Sequence, residues 1–323
     1  MGGVRTPLQG GLPPAGVVAG AVVEIACDES GFSGTNLLHS GAPLITHAGV
    51  DLTRAEATAL IAGLRDGFRF SPRELKSGQL LRKPGAALDF FLAALRGRAH
   101  VHVIDKERFL IGRVVDLLLA EPSYAAGTSL ARDPRAAALA TCPAGPERDA
   151  FLAAFVDLAR TKRARPIGHR VDNFFQTRDS LVRGTPADPV LDALDPTHVR
   201  AVVTRLDAED RALPPPLEPL LPALAETVLF WAAGTRRVLV THDEQSALTA
   251  DRLTRLQRAL ATGPGPSPLA GLVMADSRAD PRVQVADLLA GVARRSVPDA
   301  LVTAQLMAPE AVGQREQRDA DQR

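Results

Sequence analysis

Ala21-Val22-Val23-Glu24-Ile25-Ala26-Cys27-Asp28-Glu29-Ser30-Gly31 is the stretch around which the rest of the chain is read. It is apolar apart from Glu24, too short for an ordinary helix, and it ends abruptly in two carboxylates and a glycine. That pattern predicts a buried central strand whose C-terminal end delivers Asp28 to a cleft. On a pleated strand Asp28 shares a face with Ala26, Glu24 and Val22, while Glu29 points to the other side. Ser30 and Gly31 supply the turn that leaves the sheet.

Outward from this strand, Asn36-Leu37-Leu38-His39 and Leu44-Ile45-Thr46-His47-Ala48 read as two further strands of a meander, joined by Ser40-Gly41-Ala42-Pro43. Thr53 and Glu56 form a capping box for a helix whose apolar face is Ala57, Leu60, Ile61 and Leu64. Ser71-Pro72 predicts another helix start, with Glu74 in its first turn. A helix over 86–95 leads into His100-Val101-His102-Val103-Ile104-Asp105-Lys106, a strand that again ends on an acid, and 109–119 is helical. Between 121 and 222, helical pieces alternate with Pro- and Arg-rich connections, which predicts a mainly helical insertion or lid. His169, Arg170 and their neighbours Arg163, Arg165, Arg178 and Arg183 offer either a phosphate-contacting surface or a solvated face.

A helix over 217–233 feeds Arg237-Val238-Leu239-Val240-Thr241-His242-Asp243-Glu244, a third strand ending in acid. A helix over 246–260, a Gly/Pro turn over 263–268, a short strand over 271–276 and a last helix over 283–295 complete the order. Residues 1–18 and 301–323 are expected to be flexible. The α/β domain is therefore expected to span 19–120 and 223–300.

Composition narrows the function classes. The chain has 323 residues, 46% hydrophobic and 23% charged, with a net charge of +1. That balance suits a globular chain and supplies no overall basic footprint for nucleic acid. One Trp and one Tyr argue against a base-stacking platform. Two cysteines, Cys27 and Cys142, are too few for a disulfide framework or a Cys-rich zinc site. No run approaches the ~20 apolar residues of a membrane helix, and Glu24 interrupts the one segment that resembles a signal peptide, so a cytoplasmic location is expected. Gly263-Pro264-Gly265-Pro266 lacks the Gly-Lys-Ser/Thr of a phosphate loop, which disfavours a nucleotide phosphotransferase.

Three strands ending in acid, at Asp28, Asp105 and Asp243, place carboxylates where open α/β sheets bind ligands. Asp287 interrupts an otherwise apolar helix, and helical spacing sets Gln284, Asp287, Gly291 and Arg294 on one narrow stripe that should face a polar cavity. Gathered carboxylates repel one another unless a cation neutralises them. Oxygen ligands with almost no cysteine favour Mg²⁺ or Mn²⁺, and two such ions suit phosphodiester cleavage. Glu74 adds a further acid; Lys76 and Gln284 are candidates for substrate contact, and Glu29 is a secondary one.

Asp28-Glu29-Ser30-Gly31, Glu74-Leu75-Lys76 and Gln284-Val285-Ala286-Asp287-Leu288-Leu289-Ala290-Gly291, in that order, are similar to motifs of the DUF3800 family. That family is largely uncharacterised, mostly prokaryotic and thought to be ribonuclease H-like; the resemblance covers roughly Val22 to Arg295, and no motif matches the middle of the chain. It implies a mixed sheet of five or more strands flanked by helices, with acids on the first strand, the first helix after the meander, the end of the fourth strand and the last helix. By order these match Asp28, Glu74, Asp105 and Asp287, with Asp243 competing with Asp105. The expected function is a metal-dependent nuclease acting on DNA or RNA. The alternative is a non-catalytic module that binds nucleic acid or protein on the same fold.

Overall fold

The structure, a computed structural model, describes residues 22–32, 37–38, 43–70, 75–82, 85–129, 133–160, 165–261 and 265–296. The expected flexible ends, the helix start at Ser71-Pro72, Glu74, His39, Arg163 and part of the 263–268 turn lie outside these residues. Among the described residues, five strands form one mixed sheet: β1 (Val22–Ser30), β2 (Leu44–Val50), β3 (Ala99–Asp105), β4 (Arg237–His242) and β5 (Leu269–Met274). Their spatial order is β3-β2-β1-β4-β5. β2 is antiparallel to both β1 and β3, while β4 is parallel to both β1 and β5.

β1 is central because both of its faces are covered. Val23, Ile25 and Cys27 pack on the side of the sheet that carries the helix Leu220–Ala232, and Ala26 packs on the opposite side. A strand buried on both faces reads as a near-continuous apolar run, which is what made it visible in the sequence. It runs two residues further than expected: Glu29 and Ser30 still pair with His47 and Thr46 of β2, and Gly31 turns the chain at φ +88°. Of the expected strand over 36–39 only Leu37 and Leu38 are described; they lie in a turn, and β1 pairs directly with β2. Leu37 spends its apolar side chain in the helical core instead.

Helices α1 (Arg54–Phe68), α2 (Ser77–Leu80) and α3 (Gly85–Ala94) lie between β2 and β3. Thr53 and Glu56 form the expected capping box, and Ala57, Leu60, Ile61 and Leu64 are the buried face of α1. Each such Leu or Ile contributes about 1.5–3 kcal/mol when removed from water. Between β3 and β4 come α4 (Lys106–Leu118), α5 (Tyr124–Gly127), α6 (Pro134–Leu139), α7 (Pro146–Ala159), α8 (Ile167–Asp179), α9 (Asp188–Asp192), α10 (Pro196–Asp207) and α11 (Leu220–Ala232). Most of these helices share a core of their own, which includes Phe109 and Val114 of α4, Phe155 of α7 and Phe174 of α8. α12 (Ala250–Leu260) connects β4 to β5, and α13 (Pro281–Ser296) closes the chain's described part.

The arginines of the helical body are largely turned to its own acids. Arg170 is buried against Asp207, Arg183 meets Asp192 at 2.9 Å, and Arg178 meets Asp179 at 2.6 Å while covering the Phe175 ring. Among the described residues, no helix is long and apolar enough to cross a membrane.

α13 lies along the side of β1 and β2 that carries the even-numbered β1 residues. Arg282 Nη1 reaches Glu24 Oε1 at 2.6 Å, Thr46 Oγ1 donates to Ala290 O at 2.8 Å, and Arg294 Nε donates to Ser30 Oγ at 3.0 Å. Leu288, Leu289 and Val292 are buried in the core on this side, as the helical pattern predicts. Gly291 is needed for close approach: a Cβ there would stand 2.5 Å from Cβ of Ser77, so α2 seats directly on α13.

Candidate functional site

Carboxylates from three elements meet at the C-terminal end of β1. Asp28 sits on the α13 face of the strand and is only 6% exposed, while Glu29 follows on the α11 face. The Glu29 N–H donates to Asp28 Oδ1 at 2.7 Å. β4 runs parallel to β1 and ends at His242, so the next residue is delivered alongside: the Asp243 N–H donates to Cys27 O at 3.2 Å. Asp243 Oδ1 in turn accepts from the Ser277 N–H at 3.3 Å. Asp287, in the second turn of α13, completes the group from above the sheet, and Lys76 Nζ approaches its Oδ2 to 3.7 Å.

The electrostatics record this convergence. Burial, then Glu29, Asp287 and Asp243, push the Asp28 carboxyl up to about 9. Burial, then Asp243, push Glu29 up to about 7. Gln245 Nε2 donates to Glu29 Oε1, whereas Glu29 Oε2 is buried with no hydrogen-bond partner. Acids that repel and are withdrawn from water hold protons they would otherwise have lost.

No protein-family model, curated protein or solved structure matches this chain.

Of the sequence candidates, the structure brings Asp28, Asp243, Asp287 and the secondary candidate Glu29 together. It leaves Asp105 elsewhere. Asp105 ends β3 opposite Leu44, with β2 standing between it and β1, and its carboxylate caps α4 by accepting the Arg108 N–H at 2.8 Å. Counting 36–39 as a strand makes β3 the fourth; among the described strands β4 is the fourth, and Asp243 is the acid that follows it. Glu74 lies outside the described residues. Gln284 lines a cleft against α1 with Thr58, Arg65 and Ser277, one turn before Asp287.

Behind the acids stand histidines that the sequence offers only as structural hydrogen-bonders, and the structure pairs two of them. The His242 Nδ1 bonds the Asp243 carbonyl at 2.9 Å, and a carbonyl only accepts, so Nδ1 carries the proton. Neutral His242 therefore accepts at Nε2 from His47 Nε2, 3.2 Å away, and His47 Nδ1 accepts from Thr227 Oγ1 at 2.9 Å. Burial holds both rings below the usual histidine value, His47 well below it. His47 and His242 are 195 residues apart, so no spacing could have disclosed them. His100 and His102 stand beside one another on β3, with His100 stacked on Phe230 at 3.7 Å.

Among the described residues, no three His, Cys, Asp or Glu side chains are gathered tightly enough to hold one ion as they stand. The chemistry of the acid set nevertheless suits a hard divalent cation: carboxylate oxygens only, one of them the buried Glu29 Oε2, which has no hydrogen-bond partner and lies 3.9 Å from His242 Nε2.

The shifts define a pH dependence for the metal-free protein. Asp28 and Glu29 are raised in the folded state, so their contribution to stability is present below about pH 4 and is lost as pH climbs toward 9. His47 and His242 are lowered, so theirs is present above about 6.5 and lost as pH falls below it. The melting temperature is thus expected to fall on both sides of a mildly acidic maximum, by on the order of 5 °C or more between pH 6 and 9. A flat profile from pH 6 to 9 in a chelator would contradict the repulsion.

Proposed function

We propose that this chain is a metal-dependent phosphodiesterase acting on nucleic acid, built on a ribonuclease H-like sheet. The observation that carries the reading is the convergence of Asp28, Glu29, Asp243 and Asp287 at the carboxyl ends of two parallel strands and on the last described helix. The strand order β3-β2-β1-β4-β5, with only β2 reversed, supports the ribonuclease H-like assignment. The acids' order along the chain keeps the likeness to the DUF3800 group within the same proposal.

Asp28, central and shared, would hold Mg²⁺ or Mn²⁺ together with Asp287, Asp243 and Glu29; Glu74, outside the described residues, is part of the same proposal. Bound there, two such ions would activate water and neutralise the charge that develops on the phosphate. The protein's own part is positional. β1 and β4 fix Asp28 and Asp243 at adjacent strand ends, α13 sets Asp287 opposite them, and Lys76 offers an ammonium to a phosphate oxygen.

The test is thermal unfolding with increasing Mg²⁺ or Mn²⁺, comparing the wild type with the Asp28→Asn/Asp287→Asn double variant. At an ion concentration 100 times the dissociation constant, binding to the folded state alone contributes about 2.7 kcal/mol. A rise confined to the wild type supports one shared site. The Lys76–Asp287 pair favours a second reading, because it already brings a positive charge to the acids without an ion. No response from either protein would favour that reading, a non-catalytic binding module.

A further inference from the structure

Arg294 has no role in the acid cluster, yet the fold holds it in place. Its Nε donates to Ser30 Oγ at 3.0 Å. Its stem lies over Gly31, where a Cβ would come within 2.6 Å of Arg294 Cδ and 2.3 Å of Leu44 O. Glycine, at φ +88°, is therefore required twice, for the turn and for the arginine's seat. Ser30 and Asp28 share one face of β1, so Arg294 is anchored one strand repeat, ~7 Å, beyond the central acid. That is of the order of the step between neighbouring phosphates on an extended nucleic-acid strand.

The start of α4 fixes the segment that closes on Gly31. Lys106 opens α4, and its N–H donates to Pro43 O at 2.9 Å, immediately before the Leu44 carbonyl that closes on Gly31. Its side chain is buried. Among the described residues, no carboxylate pairs with Arg294, whose fork keeps four N–H donors after the bond to Ser30. A planar fork held rigidly in this way suits a tetrahedral phosphate oxygen pair, which it can meet with two parallel N–H donors.

We infer that Arg294 forms a second phosphate subsite one step along the strand from the acid cluster, so that the site takes a chain of consecutive phosphates rather than an isolated phosphodiester. The inference rests on the phosphodiesterase reading of that cluster. It assigns the substrate as a nucleic-acid strand whose backbone runs along the end of β1, past Asp28 and then Arg294.

The experiment is binding of a fluorescein-labelled single-stranded oligonucleotide of ~12 nucleotides in Ca²⁺, which suppresses cleavage, across a series of salt concentrations. Arg294→Gln is expected to weaken binding about tenfold at 0.15 M salt and to reduce the slope of log K against log salt by about one phosphate contact. Arg294→Lys should keep the slope, which a purely structural role at Gly31 would not require. An unchanged slope in Arg294→Gln, or no binding by the wild type, overturns the subsite. Cleavage in Mg²⁺ or Mn²⁺ is read separately. Loss of slope with no cleavage by the wild type leaves the subsite standing and removes the nuclease. Cleavage that depends on Asp28 but is accompanied by an unchanged slope in Arg294→Gln does the reverse.

Discussion

Asp28→Asn is expected to abolish Mg²⁺- or Mn²⁺-dependent cleavage, by ~10³-fold or more, while leaving the fold intact. Asparagine has nearly the shape of the protonated acid, and that is the form which burial and the surrounding carboxylates already favour. The strand pairing of residue 28 with Ala48 is a backbone matter and survives the change. Removing the one acid that feels Glu29, Asp287 and Asp243 together also removes a source of repulsion. Asp28→Asn should therefore melt higher than the wild type in chelator at pH 9, by a few degrees or more. It should also lose the stabilisation by divalent ions. Circular dichroism, melting curves in chelator and in Mg²⁺, and a nuclease assay test the whole of this. Full activity, or an undiminished response to the ion, would sink the metal-site reading.

Asp207→Ala is expected to give the largest loss of stability. The Arg170 side chain is 1% exposed, and among the described residues Asp207 is its only carboxylate partner; it also meets the carbonyls of Leu158 and Arg160, at 3.4 and 3.2 Å. Truncating Asp207 leaves a guanidinium buried among α7, α8 and α10 without its counter-charge. Breaking a buried pair from one side costs about 3–5 kcal/mol. Because the Asp207 side chain keeps 29% exposure and water can reach the gap, the lower end applies. Urea denaturation should show the loss, with the response to divalent ions unchanged because the acid cluster lies on the sheet. A loss below ~1 kcal/mol would mean that water supports the guanidinium. Arg170→Met/Asp207→Leu should recover much of the deficit, since an apolar pair of similar volume avoids burying charge.

What could be read in advance follows the range of the forces involved. The capping box of α1 is local, closed within four residues by Thr53 and Glu56, and it was legible together with its buried face. α13 was legible because its period of apolar residues is long and is broken mainly by the stripe of Gln284, Asp287, Gly291 and Arg294. Strand pairing is not local. Nothing in Asn36-Leu37-Leu38-His39 distinguishes a short strand from the turn that Leu37 and Leu38 form, and that single misreading shifted the strand count and promoted Asp105. Asp105 and Asp243 end apolar strands with the same pattern. One caps the helix that follows and the other enters the acid group.

By itself the sequence determined a central apolar strand ending in Asp28, an acid inside the last described helix and an α/β alternation, because side-chain periodicity and capping act over a few residues. Only the tertiary structure decided which acids meet. β4 lies parallel against β1 and so carries Asp243 to the end at which Asp28 stands, whereas β2 keeps β3 and Asp105 apart from it. The His47–His242 pair and the seating of Arg294 on Gly31 arise in the same way, from contacts across 195 and more than 260 residues. Such contacts are fixed by burying sheet and helix faces together, a property of the whole core that no local window contains.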